Sequence, residues 1–64
     1  MTKFIKLHKV SGKEIWINAF RILTVEVVER ERGFCTKIVM ASEVYFDVKE
    51  TPDEIGAIVT AKND

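Results

Sequence analysis

The sequence predicts a mainly β fold: a five-stranded antiparallel twisted sheet or small barrel with one C-terminal helix. Three observations lead to this prediction. Apolar and polar residues alternate in several short segments, which is typical of strands with one buried face. Short turns separate these segments, and two of the turns contain a glycine. A helix-start signal follows the last segment, at Thr51.

The first two strands are predicted as a hairpin. Residues 4–10 and 14–18 flank Ser11-Gly12-Lys13, and Gly12 can adopt the positive φ that a three-residue hairpin loop requires. This loop pairs Val10 with Glu14 and places His8 opposite Trp16. The predicted core face then carries Ile5, Leu7, Ile15 and Ile17.

Three more strands are predicted, at residues 22–30, 34–40 and 43–49. The first is rich in β-branched residues, and the other two alternate apolar and polar side chains. Asn18 breaks the alternation before them and is expected to cap a helical turn or to begin a bend. Gly33 completes the charged turn that follows residue 30.

The helix is predicted over about residues 52–62. Thr51 is a good N-cap, Pro52 suits the first helical position, and Glu54 completes a capping box with Thr51. A one-sided apolar stripe follows, formed by Ile55, Ile58 and Val59. Such a short helix needs a surface to dock on, either its own sheet or a partner. Residues 1–64 are therefore predicted to form one small domain.

Composition limits how this domain can be stabilised. The chain has 64 residues, 47% of them hydrophobic and 31% charged, so a globular fold with a small core is expected. The single Cys35 excludes an internal disulfide, and no Cys/His set has the spacing of a structural zinc site. Self-association is the remaining reinforcement, and a homo-oligomer is therefore predicted.

Charge and hydropathy bear on partners and location. Ten basic and ten acidic residues give a formal net charge of zero, which argues against non-specific nucleic-acid binding. No stretch approaches 18 apolar residues, and residues 1–4 do not lead into a signal peptide. A cytoplasmic location without a membrane span is therefore expected, in keeping with the unpaired cysteine.

The sequence predicts neither enzymatic activity nor a cofactor. His8 is the only histidine and Cys35 the only cysteine, and neither has a neighbour at a spacing that predicts a catalytic set. No phosphate-binding glycine loop is present either. We expect His8 to be a surface or stacking residue and Cys35 to have a structural role.

Five residues are predicted as an interface on the outward strand faces: Phe4, His8, Trp16, Val28 and Tyr45. Exposed Trp is enriched at protein–protein contacts. The simpler alternative is that the helix or another strand covers Phe4 and Trp16. The alternative function is a small barrel that binds nucleic acid, because aromatic and basic groups together can stack bases. Its residues would be Lys3, Lys6, His8, Lys9 and Trp16.

Three stretches of the chain resemble the small flagellar FlbD family: Ile5–Leu7, Ser11–Asn18 and Val48–Ile55. The order of elements is also similar, whereas the middle segment Glu29–Phe34 differs from the family's shorter hairpin with an Asn-Gly turn. The resemblance supplies no catalytic residues. The resemblance implies a flagellar role. The small size, the lack of a disulfide or metal, the lack of an active-site set and the apolar strand surface favour a non-enzymatic interaction or assembly module that self-associates, as an accessory to a larger assembly with a protein partner.

Overall fold

The computed structural model describes residues 2–61. Its regular elements are β1 (Phe4–His8), β2 (Glu14–Asn18), β3 (Ile22–Arg30), β4 (Gly33–Met40), β5 (Tyr45–Val48) and the helix α1 (Pro52–Thr60). The strands form two antiparallel sheets, one of β1 and β2 and one in the order β3-β4-β5. The mainly β class with a C-terminal helix is confirmed, whereas the single five-stranded sheet and the closed barrel are wrong.

A single 3₁₀ turn, Ala19–Arg21, separates the two sheets. The Asn18 side chain accepts a hydrogen bond from the Phe20 N–H at 3.1 Å, which is the predicted cap. The turn redirects the chain directly after β2. Strand β3 therefore does not continue the first sheet and pairs with β4 instead.

The first hairpin has the predicted core face but a different register. His8 pairs with Glu14 and Lys6 with Trp16, two residues away from the predicted pairing. The connection between the two strands is longer than predicted. Within it the Lys9 N–H donates to the Lys13 carbonyl at 2.8 Å, and Lys9 also bridges to Val48 of β5. A slip of two residues preserves the side-chain alternation, so the apolar residues still share one face.

This bridge is also where the two sheets meet. The Lys49 N–H donates to the His8 carbonyl at 2.8 Å beside the Lys9–Val48 bridge. Gly12 closes the turn that follows Lys9 with a φ of 97°, and its N–H donates to the Lys9 carbonyl at 2.8 Å. The end of β1 therefore covers part of the outer edge of β5.

The connection from β4 to β5 shortens the last strand. Glu43 has a φ of 70°, in the left-handed region, and its N–H donates to the Met40 carbonyl at 2.9 Å. The predicted strand began at Glu43, but a residue in this conformation cannot continue a β ladder. Strand β5 therefore begins at Tyr45.

Helix α1 has the predicted start. The Thr51 hydroxyl accepts from the Glu54 N–H at 3.1 Å and the Glu54 carboxylate accepts from the Thr51 N–H at 2.8 Å. At the other end, the Lys3 ammonium donates to the carbonyls of Val59 and Ala61. Its positive charge there interacts favourably with the negative end of the helix dipole. The helix ends at Thr60, and residue 62 of the predicted range lies outside the described residues.

The core lies between the two sheets and the helix of the same chain. Leu7, Ile38 and Val48 are fully buried. The remaining buried apolar side chains come from all three units, and they are Ile5, Ile17, Met40 and Ile55. Ile58 and Val59 of the helix are half-buried against this cluster. The helix therefore docks on its own chain, which was one of the two predicted possibilities.

Candidate interaction surface

The outward face of the first hairpin carries two exposed aromatic side chains. Phe4 is 59% exposed and Trp16 is 61% exposed, so neither the helix nor another strand covers them. Lys6 lies opposite Trp16 in the ladder, and its ammonium stands 6.0 Å from the centre of the indole ring. The same ammonium is 3.5 Å from the Glu14 carboxylate. This hairpin face therefore combines the apolar area of Phe4 and Trp16 with a Lys6 charge that Glu14 neutralises.

His8, on the same face, is engaged in a contact within the chain. Its backbone N–H donates to Glu50 Oε1 at 2.9 Å, and its ring Nδ1 lies 2.7 Å from Glu50 Oε2. The Glu50 side chain is 14% exposed, so this carboxylate is largely removed from water. His8 thus fastens the first hairpin to the segment between β5 and α1.

The electrostatics of Glu50 reflect two opposing effects. Burial raises the pKa of this carboxyl group, because desolvation disfavours the charged form. The hydrogen bonds from His8 and from the backbone N–H of Glu50, with the charge of His8, outweigh burial and hold the pKa below its ordinary value. Glu50 is therefore a stabilising carboxylate, and the contact gives His8 a structural role.

The other two predicted interface residues lie on the outward face of the three-stranded sheet. Tyr45 is exposed, and the Lys37 ammonium lies 4.8 Å from the centre of its ring. Val28 is half-buried and pairs with Cys35 of β4. Val28 and Tyr45 are thus on a different sheet from Phe4 and Trp16, and the structure divides the predicted interface into two groups.

An ion pair crosses this outward face. Arg30 donates to Asp47 through Nε at 3.1 Å and through Nη2 at 3.3 Å. The hydrogen bonds to Asp47 raise the pKa of the Arg30 guanidinium above its ordinary value. Because Arg30 is on β3 and Asp47 on β5, the pair spans the whole sheet.

Sequence reasoning missed several exposed apolar residues. Phe34 is 75% exposed, the largest value among the exposed apolar side chains, and Val27 lies on the same face of the neighbouring strand. Phe20 and Leu23 are also exposed, at the break between the sheets. Position offered a usable signal for Phe34, since a large apolar residue directly after a turn glycine lies at the tip of its hairpin.

Phe34 also borders two open clefts at this hairpin tip. One has a volume of about 360 Å³ and includes Val10, Arg30 and Asp47 in its lining. The other has a volume of about 390 Å³ and is lined in part by Val27 and Pro52. Neither lining includes His8, the only histidine of the chain. The clefts therefore offer apolar contact area beside charged groups.

Two features, a metal-binding cluster and a membrane-spanning helix, are absent from residues 2–61. No group of three or more His, Cys, Asp or Glu side chains is arranged to hold a metal ion there. No helix in that range has the length and apolar character needed to cross a membrane. Comparison of the chain with known family models, curated proteins and solved structures finds no match.

Proposed function

We propose that this protein is a non-enzymatic interaction module that associates with a second copy of itself. One observation carries the proposal: in the described residues, more large apolar side chains are exposed than are buried. The exposed set is Phe4, Val10, Trp16, Phe20, Leu23, Val27, Phe34, Val44 and Tyr45. Single exposed apolar residues are ordinary, but a set this large in a 64-residue chain is typical of proteins with contact surfaces.

The charge balance supports a second copy as the partner. Ten basic and ten acidic residues leave a net charge of zero, so two copies approach without long-range repulsion. Apolar surface buried on association would also add to the stability that the small core provides. Absolute molar mass by light scattering, measured at two concentrations, tests the proposal. A mass of two or more chains is expected, and a mass of 7.3 kDa at both concentrations contradicts it.

The alternative function, nucleic-acid binding, loses support from the geometry. Lys3 holds helix carbonyls, Lys6 lies beside Glu14, and His8 contacts Glu50. These cationic or basic groups already have partners, and phosphate binding would require them to leave those partners. A gel shift with single-stranded DNA or RNA at low salt tests this alternative. We expect no shift, and a shift that weakens as salt rises contradicts our preference.

We further propose, from the FlbD-like resemblance, that the protein has an accessory role in a larger assembly in the cytoplasm. The exposed pair of Phe4 and Trp16 is the surface we assign to a protein partner in that assembly. The test is genetic. We expect a deletion strain to lose swimming and the intact chain to restore it. Unchanged swimming contradicts the flagellar part while leaving self-association to its own measurement.

A further inference from the structure

Strand β3 is the longest strand, and it lies at an edge of its sheet. It has nine residues and pairs with β4 on one side, while the sheet order gives it no strand partner on the other side within residues 2–61. Edge strands present unpaired backbone donors and acceptors, which are a template for another strand. The opposite edge differs, because β5 has four residues and the Lys9 bridge meets its end.

Strand β3 lacks two of the features that protect an edge strand, proline and lysine, although it carries the charged residues Glu26, Glu29 and Arg30 and helix α1 lies against it. Proteins protect such edges with short strands, proline, charged side chains (lysine above all), inward-pointing charges, bulges or a covering helix or loop. The strand contains neither proline nor lysine. Its register irregularity lies between Ile22 and Thr24, at the start of the strand. The seven residues from Thr24 to Arg30 therefore form a regular ladder with β4 and an open edge opposite it.

The charge pattern of β3 is self-complementary about one residue. Glu26, Val28 and Arg30 share the outward face, because each pairs with an outward-facing residue of β4. In a two-fold antiparallel pairing centred on Val28, Glu26 of each copy lies opposite Arg30 of the other. The two valines meet between these opposite charges. Opposite charges and β-branched residues directly across a ladder are both favourable.

The neighbouring two-fold registers are less favourable. Pairings centred on Glu26 or on Glu29 place identical carboxylates opposite each other, which is destabilising. A pairing centred on Val27 places Glu29 opposite the half-buried Val25 and leaves Glu26 opposite Val28. The registers centred on Val27 and on Val28 both place Glu29 opposite a valine of the core face, but the register centred on Val27 forms no ion pair between the copies. The register centred on Val28 is the one that matches charge with charge.

The Arg30 guanidinium has enough donors to bind Asp47 of its own chain and Glu26 of a second copy at the same time. Its Nε and Nη2 bind Asp47 of the same chain, and within residues 2–61 its Nη1 makes no hydrogen bond. A guanidinium has five N–H donors, so a second carboxylate can be accommodated. Glu26 makes no ion pair in the described part of the chain and is the matching acceptor.

We propose, resting on the proposed self-association, that β3 pairs antiparallel with β3 of a second copy in the register centred on Val28. The two three-stranded sheets then form one six-stranded sheet. The pairing satisfies the open backbone groups of both edges and buries Val28, the predicted interface residue on this strand. It leaves Phe4 and Trp16 outside the contact, on the other sheet.

Single-cysteine cross-linking tests the register. Cys35 is first replaced by serine, because it pairs with Val28 within the chain. Val28→Cys in the Cys35→Ser background should form a disulfide-linked dimer on mild oxidation, since Cα atoms directly opposite in a ladder are about 4.5–5.5 Å apart. The matched control is Thr24→Cys in the same background. Its two cysteines would be about 27 Å apart at 3.4 Å per residue, and no cross-link is expected.

A charge reversal gives a second, independent measurement. Glu26→Arg turns both contacts with Arg30 from attraction into repulsion, and the dimer dissociation constant should rise roughly tenfold or more. Glu29→Arg makes the same change of charge on the opposite face of the strand, opposite Val27, and should change the dissociation constant by less than about threefold. Sedimentation at several concentrations measures both constants.

The outcomes separate the two proposals. A dimeric mass with a cross-link at position 28 and none at position 24 supports the β3 register. A dimeric mass with no cross-link at position 28, or with equal effects of the two reversals, overturns the register and leaves self-association standing. A monomeric mass for the unaltered chain overturns both.

Discussion

Phe34 and Ile38 are large apolar side chains on the same face of strand β4, and their environments are opposite. Ile38 is 0% exposed, whereas Phe34, four residues earlier, is 75% exposed. The first hairpin and helix α1 pack over the Ile38 end, and Ile55 joins the core cluster there. The β3–β4 hairpin continues past this cover, in a molecule 38 Å long and 19 Å thick. In so short a chain the sheet extends beyond its core.

The two ends of β4 therefore have different roles: residues at the covered end stabilise the fold, and residues at the hairpin tip are available to contact a partner. Side chains at the covered end contribute to the free energy of unfolding through burial. Side chains at the tip of the hairpin contribute little to it, and their apolar area stays available to a partner. Substitutions at matched positions on the two ends should therefore separate stability from association.

The largest expected effect is at the covered end. Ile38→Ala should lower the free energy of unfolding by about 2–5 kcal/mol, because it opens a cavity in a closely packed core. Such a loss is a large fraction of what a domain of this size has, so we expect partial unfolding at 25 °C. Urea denaturation followed by circular dichroism measures it.

Phe34→Ala is the matched control on the same strand and face. It should change the free energy of unfolding by no more than about 0.5 kcal/mol, as is usual for exposed positions. Equal losses from the two substitutions would contradict the contrast between the two ends of β4.

A smaller effect is expected where the first hairpin is fastened to the rest of the chain. Glu50→Gln keeps the shape of the side chain but removes the charge that accepts from His8. We expect a loss of about 1–2 kcal/mol at pH 7, since hydrogen bonds to charged groups exceed neutral ones. Chemical denaturation of both proteins between pH 3 and about pH 8 gives the comparison.

The sign of the pH dependence follows from the lowered pKa of Glu50. A carboxyl group with a lowered pKa in the folded state stabilises the fold above its unfolded pKa, which is about 4.3 for glutamate. This stabilisation is lost as pH falls through the folded pKa. The difference between the parent and Glu50→Gln should therefore be full at neutral pH and vanish in acid. Glu14→Gln, at an exposed ion pair, is the control, and a similar pH-dependent loss there would count against the assignment.

The start of helix α1 should show an effect of similar or smaller size. Thr51→Ala removes the acceptor for the Glu54 N–H and should cost about 0.5–2 kcal/mol. Thr60→Ala is the control at the other end of the helix, where the hydroxyl donates to the Gly56 carbonyl. It should cost less than about 0.5 kcal/mol. Thermal unfolding of the two variants compares them, and a larger shift for Thr60→Ala would refute the ranking.

Local signals in the sequence predicted the elements well. The bounds of β2 and β3 match the predicted ranges, and the Asn18 and Thr51 caps form as expected. Each of these features depends on neighbours within a few residues, such as an alternating pattern or an acceptor beside free N–H groups. The core face of the first hairpin was also correct, because alternation alone determines it.

Features that depend on distant residues were not predictable in the same way. The contact of His8 with Glu50 joins residues 42 positions apart, and neither carries a local sign of it. The two-sheet arrangement depends on the 3₁₀ turn after β2 and on the Lys9 bridge. The predicted register of the first hairpin was wrong by two residues. A shift by an even number keeps the same side chains on the same face, so alternation alone does not distinguish the two registers. The division of the candidate interface between two sheets follows from the two-sheet arrangement.

A small effect on stability, like that of Phe34→Ala, is expected at Trp16, and this substitution tests what the exposed hairpin face does. Full burial of this ring would make Trp16→Ala cost about 3–5 kcal/mol, but the ring is 61% exposed. We therefore expect a change of no more than about 0.5 kcal/mol in the free energy of unfolding of Trp16→Ala. Because β3 and the first hairpin belong to different sheets, the dimer dissociation constant should also stay within about threefold of the parent value. A large loss of stability would mean that the ring is buried in solution. A loss of dimer with stability intact would move the self-association contact from β3 to the hairpin. Unchanged values in both measurements leave Trp16 available for a different protein partner.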